Sequence, residues 1–162
     1  KNINIRKKKI KSDRPKIGFF YKGLLISSID KIIKIENLNK LFNLEADFIC
    51  LHKKEEIKDD INFFSKNVKT FDIDKEKAFE DTIAILQNID LLITIDSGIT
   101  HLAGVMNIPT FLLLGYVSEW RWFNNNKKIW YNSVDIYHQI ENKDILHDSE
   151  KIIEDIKEKL NL

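Results

Sequence analysis

The stretch Asn88-Ile89-Asp90-Leu91-Leu92-Ile93-Thr94-Ile95-Asp96-Ser97-Gly98-Ile99-Thr100-His101-Leu102-Ala103-Gly104 decides the fold. Residues 91–95 are nearly all apolar, so they read as a strand covered on both faces. Asp96-Ser97-Gly98 is turn chemistry, and residues 98–106 are small and apolar enough for a packed helix. A buried strand, a polar turn and a helix in this order form the repeating unit of a parallel α/β sheet.

The pattern continues on both sides. Residues 78–88 carry apolar positions at helical spacing, and residues 109–114 read as the next strand. Toward the start, strands are predicted over 17–21, 47–52 and 68–73, with helices over 35–44 and 55–65 between them. Toward the end, residues 134–137 read as a short strand. Asp148-Ser149 there precede an amphipathic helix carrying Ile152, Ile153, Ile156 and Leu160. This alternation predicts a single α/β domain with a Rossmann-like, doubly wound parallel sheet, which takes ligands beyond the carboxyl ends of its strands.

Composition bounds the function. The chain has 162 residues, 43% of them hydrophobic, enough for one buried core. Lys and Arg number 26 against 25 Asp and Glu, so no overall field draws the chain to nucleic acid or an anionic membrane, and neither partner is expected. Cys50 is the only cysteine. Set in an apolar run, it is expected as a reduced, packed thiol, with a cytoplasmic location as the default. No apolar run approaches the roughly 20 residues of a membrane span. Residues 1–15 open on a basic run without the apolar core of a signal peptide, and are expected as a linker or tail of an N-terminal region missing from this sequence; the domain is 16–162.

The turn at Asp96 to His101 is the candidate site. The first N–H groups of a helix lack intrahelical partners and its dipole adds positive potential, so an anion there meets several donors without a lysine. Gly98 admits a phosphate close to the backbone, Ser97 and Thr100 offer hydroxyls, Ile99 an N–H, and His101 an imidazole. The same residues also suit a plain cap with a core histidine, and pattern alone does not separate the two readings. A Gly-rich loop of the Lys-Ser/Thr type is absent, which counts against a nucleoside triphosphatase. His52, His138 and His147 lack metal-ligand spacing, so no metal site is expected.

Phe79-Glu80-Asp81-Thr82-Ile83-Ala84, the stretch from Asn88 to Gly104 and Pro109 together resemble the donor-binding half of heptosyltransferase-type glycosyltransferases. Glu119-Trp120-Arg121-Trp122-Phe123 and the later Trp130-Tyr131 are similar to a signature of the related C-terminal domains of bacterial tetratricopeptide-repeat proteins. The resemblance implies the C-terminal half of a GT-B architecture. A nucleotide-diphosphate sugar would be its donor substrate, with the pyrophosphate against Ser97, Gly98, Ile99, Thr100 and His101. It also implies a glycan or other acceptor, hexosyl or heptosyl transfer, no catalytic metal or resident cofactor, and a catalytic base supplied by an N-terminal half or partner domain outside this sequence. No catalytic residue is therefore named, and the fragment alone is expected to transfer no sugar.

Further donor contacts are expected at Lys22, Lys31, Glu80, Asp81, Asp96, Trp120 and Arg121. Arg121 pairs with phosphate and Trp120 stacks on a base or sugar in this reading. Each has a plainer alternative: surface lysines, helix-capping acids at Glu80 and Asp81, and a tryptophan that anchors a loop. The Arg-Ser expected in the loop after the first strand is replaced by Ile33 and Lys34, and neither restores arginine's bidentate fork.

Overall fold

Strands of this chain are apolar on both faces because helices cover both. The computed structural model describes residues 9–23, 33, 35–73, 79–116, 120–122, 130–140 and 149–162. Six strands, β1 (Lys16–Phe20), β2 (Asp47–Cys50), β3 (Val68–Thr70), β4 (Leu91–Ile95), β5 (Thr110–Leu114) and β6 (Val134–His138), form one sheet in the order β3-β2-β1-β4-β5-β6. Every pairing is parallel. Helices α1 (Ile35–Phe42), α2 (Glu80–Leu86), α3 (Gly98–Val105) and α4 (Ser149–Leu160) lie between and after the strands. The predicted Rossmann-like, doubly wound α/β fold is the one observed.

Alternation along the strands sorts the core into two layers. Ile17, Phe19, Phe48, Leu91, Ile93 and Ile95 pack with Leu38, Leu41 and Phe42 of α1 and Ile152 and Ile156 of α4. The opposite side chains, Ile49 and Leu92 among them, pack with Ala84, Ile85 and Leu86 of α2 and Ile99 and Ala103 of α3. Phe19 sits among aromatic rings, with Phe42 at 5.3 Å and Phe64 at 5.8 Å between centroids, both edge-on. Such pairs add stabilisation beyond their burial.

Several predicted elements end earlier than expected, as element ends commonly do. The segment 55–65 differs in kind. Instead of a short helix it forms two 3-10 turns, Lys54–Ile57 and Ile61–Phe63. Ile57 is fully buried, but Ile61 and Phe63 are exposed, so no continuous apolar stripe holds a longer helix to the sheet. At the end of α3, Asn107 takes the left-handed conformation with φ 56° and the Ile108 N–H reaches back to the Ala103 carbonyl at 2.9 Å. That closes the helix after Val105.

His52 and Cys50 follow from the same burial. Burial pushes the Cys50 thiol up to about 12, as an inert packed thiol requires. Burial pulls His52 down to about 4, although the Glu56 carboxylate works against it. The neutral ring accepts the Tyr21 N–H at Nε2 (3.1 Å) and meets Glu56 through Nδ1 (3.2 Å). Protonation of Nε2 would turn that acceptor into a donor facing a donor.

Two predictions follow from this packing. Phe19→Ala should destabilise the fold by about 3–5 kcal/mol in urea unfolding, whereas Phe63→Ala should stay within about 0.5 kcal/mol. For His52 the unfolded chain binds the extra proton at higher pH than the native one, so native stability is lost as pH falls from about 6.5 toward 4. His52→Gln should remove that component, so the variant's curve is flatter over this window and wild type's advantage shrinks as pH falls through it.

Candidate functional site

The strand order turns back between β1 and β4, where Phe20 pairs with Thr94. The chain leaves β1 toward β2 on one side and β4 toward β5 on the other, so a crevice opens beyond their carboxyl ends. Tyr21 to Gly23 lines one side of this switch point and Asp96 to Gly98 the other.

At the β4 end, Ser97 is extended, with φ −158°, and Gly98 starts the eight-residue α3. Thr100 is fully buried, and its hydroxyl donates to the Ile95 carbonyl at 2.8 Å. The same oxygen accepts the Ser97 N–H at 3.3 Å. Thr100 thus spends its donor inside the turn and fixes its shape, unlike the outward hydroxyl expected from the sequence. Ser97, Gly98 and His101 keep partial or full exposure, and the Gly98 and Ile99 N–H groups stand in the first turn, where no intrahelical carbonyl reaches them.

A ring cluster braces the turn from the far side. Trp122, buried in a short 3-10 turn over Trp120–Trp122, donates its indole N–H to Asp96 Oδ1 at 2.9 Å. Its ring stacks on His101 with centroids 5.3 Å apart and planes 20° apart. Tyr131 places its hydroxyl 3.1 Å from His101 Nδ1. The Tyr131 ring lies directly over Gly104, where any Cβ would overlap it. His101 and Gly104 are three residues apart on one helix face, so this small residue lets the tyrosine reach the imidazole.

The remaining candidates divide. Glu80 and Asp81 open α2, and Phe79 beside them brings its ring within 3.6 Å of where a Gly98 Cβ would stand, so the two helix starts are adjacent. Asp81 is buried and Glu80 exposed. Arg121 lies 5.7 Å from the exposed Trp120 ring, and the Trp130 indole N–H holds the Arg121 carbonyl at 2.8 Å. Lys22 faces away from the expected role: its ammonium pairs with Asp60 at 2.7 Å, and Asp60 also accepts the Tyr21 hydroxyl. Burial pushes the Asp60 carboxyl up, but these two donors and the Lys22 charge outweigh it and hold it below the usual carboxylate range. Lys31, Lys34 and Glu119 lie outside the described residues.

Ile33, standing where the resembling family has its Arg-Ser segment, is buried in the core and its N–H bonds the Tyr21 carbonyl at 2.8 Å. Sequence alone gives Tyr131 no role of its own and leaves one tryptophan of the signature as a loop anchor, the part Trp122 plays. Their signature was visible, but not which ring each would touch. A separate cleft of about 620 Å³ beside β6 and α4 is lined by Asp135, Tyr137, Lys151 and Asp155. Its polar groups largely pair internally, with Tyr137 on Asp155 at 2.7 Å and Lys159 on Asp135 at 3.3 Å. Among the described residues no group of three or more His, Cys, Asp or Glu is placed to hold a metal. No helix among them is long and apolar enough to cross a membrane.

The family model of glycosyltransferase family 9 (heptosyltransferase) matches residues 6–151, almost the whole chain. The chain belongs to glycosyltransferase family 9. Among solved structures, E. coli ADP-heptose LPS heptosyltransferase II is similar at 16% identity and TM-score 0.65, over 93% of this chain and 47% of that one. E. coli heptosyltransferase WaaC with ADP-2-deoxy-2-fluoro heptose is similar at 12% identity and TM-score 0.62, over 90% and 45%. A family 9 glycosyl transferase from Veillonella parvula is similar at 16% identity and TM-score 0.56, over 91% and 40%. No curated protein sequence matches the chain significantly. The chain therefore spans under half the length of these structures, and at such identities the likeness shows the shared fold.

Within this family 9 domain the brace predicts a specific steric dependence. Gly104→Ala should destabilise the domain by about 1–3 kcal/mol, because the added methyl forces the Tyr131 ring off α3. Denaturant unfolding of Gly104→Ala combined with Tyr131→Ala should show most of that overlap penalty gone, so the two changes are far from additive.

Proposed function

We propose that this domain is the donor-binding half of a glycosyltransferase, holding the diphosphate of a nucleotide sugar at the start of α3. The observation that carries the reading is the turn itself. An eight-residue helix opens at the carboxyl end of β4 beside the sheet's switch point, with Ser97 and the Gly98 and Ile99 N–H groups at its mouth and His101 one turn in. Family membership and the donor-analogue complex of the similar WaaC structure support it.

In this reading the helix dipole, the N–H groups, the Ser97 hydroxyl and the imidazole stabilise the nucleoside diphosphate as negative charge develops on it during sugar departure. Thr100 keeps those donors aimed. In the same reading Glu80 and Asp81, at the adjacent start of α2, meet donor hydroxyls, and Arg121 with Trp120 flanks the nucleotide. Transfer to a glycan or other acceptor then requires an N-terminal half, a repeat domain or a partner carrying the catalytic base. We assign no resident cofactor or metal to the step, and the buried reduced Cys50 fits the cytoplasmic location proposed with it.

A second reading, a non-catalytic binding module, rests on Ile33. A core side chain at that position removes the arginine that the resembling family presents to the donor phosphates, and Lys22 is already neutralised by Asp60.

Calorimetric titration with ADP, GDP, UDP and their sugars tests the donor site. Binding in the range of about a millimolar or tighter is expected for at least one, weakened roughly ten-fold or more by Ser97→Tyr and by His101→Ala. Absence of any binding near that concentration would falsify the donor assignment. Binding without sugar transfer in a full-length protein would select the module.

A further inference from the structure

Resting on the donor reading, the ring cluster behind the turn assigns a role to a residue that reading leaves unused. His101 has two ring nitrogens, and only one faces a protein partner among the described residues: Nδ1, 3.1 Å from the Tyr131 hydroxyl. Two geometric facts make that contact deliberate. Tyr131 reaches His101 only because Gly104 carries no side chain. The imidazole plane is set independently by the Trp122 ring stacked on it, and Trp122 is itself pinned by its indole N–H to Asp96. Three elements far apart in sequence, α3, the Trp120–Trp122 turn and the segment before β6, thus converge on one imidazole.

We propose that Tyr131 is a positioning residue for the donor diphosphate: its hydroxyl donates to His101 Nδ1, which places the remaining proton on Nε2 and aims that N–H at a phosphate oxygen. The direction follows from the groups. A phenol is a better donor than acceptor because its lone pair is shared with the ring, and the neutral imidazole nitrogen is the stronger acceptor of the two. With Nδ1 so occupied, Nε2 is the only ring position able to donate, and an anion needs a donor. The reverse tautomer would point a lone pair at the phosphate and repel it. Trp122 serves the same end by holding the ring plane and Asp96 together, so the imidazole cannot swing away when the site is empty.

Histidine ¹⁵N spectra of the full chain at about pH 8, together with calorimetric titration of ADP, GDP and UDP, test this. Wild-type His101 should show the Nε2–H tautomer. Tyr131→Phe, which keeps the ring and removes only the hydroxyl, should give a mixture of tautomers and weaken the tightest of the three nucleotides about five-fold. In a His101→Ala background the same substitution should add no further loss, as expected of a group acting only through His101. An equal loss in both backgrounds, or a His101 tautomer unmoved by Tyr131→Phe, overturns the positioning role. Failure of all three nucleotides to bind the wild type overturns the donor reading and the phosphate role with it, while the spectra still decide the Tyr131–His101 bond.

Discussion

The pairing of β1 with β4, from Ile17 beside Leu91 to Phe20 beside Thr94, is the constraint on which the rest depends. Parallel strands in register end at the same level, so the two chain segments leaving them emerge side by side. The sheet then grows outward in opposite directions, to β2 and β3 from one strand and to β5 and β6 from the other. The crossovers α1 and α3 leave β1 and β4 in opposite directions and so cover opposite faces; Leu92 packs in the layer of α2 and α3, Ile93 in that of α1 and α4. A gap between diverging connections is the geometric result, and the start of α3 stands on its rim.

What stiffens that rim is a pair of interactions with the strand end. The Thr100 hydroxyl caps the Ile95 carbonyl, which α3 itself is too late to reach, and Asp96 takes the Trp122 indole N–H. The first ties the helix to β4; the second ties the turn to the chain between β5 and β6. His101 inherits its orientation from both, since the helix sets its backbone and Trp122 sets its ring plane. A side chain so braced has little freedom left to lose, which is the physical meaning of preorganisation.

Most of the sheet was legible because burial on both faces leaves unbroken apolar runs, and residues 91–95 matched β4 in full. The segment 55–65 misled because Ile57, Ile61 and Phe64 imitate helical spacing, while Ile61 stays exposed and only Ile57 of the three is fully buried. The turn at Ser97 and Gly98 was equally readable, since its chemistry is local. The ring cluster was not: His101 and Tyr131 are 30 residues apart, and no periodicity connects them. Nor did sequence indicate that Lys22 would be claimed by Asp60, because Asp60 lay in the segment whose structure was misread.

That last pairing bears on how an anion would be held here. For Lys22 to reach a phosphate it must abandon Asp60, leaving a partly buried carboxylate that keeps, among the described residues, the Tyr21 hydroxyl as donor. Giving up that charge-assisted contact offsets part of what a phosphate contact would return. Ile33, locked into the core, offers no charge to compensate. Among the described residues the proposed site then offers oriented dipoles: the helix start, the Ser97 hydroxyl and the braced imidazole, with Arg121 in the adjoining signature. Fixed dipoles of this kind discriminate by position more than by net charge. Under the donor reading, the shape of the diphosphate, more than its charge, would govern what the turn accepts.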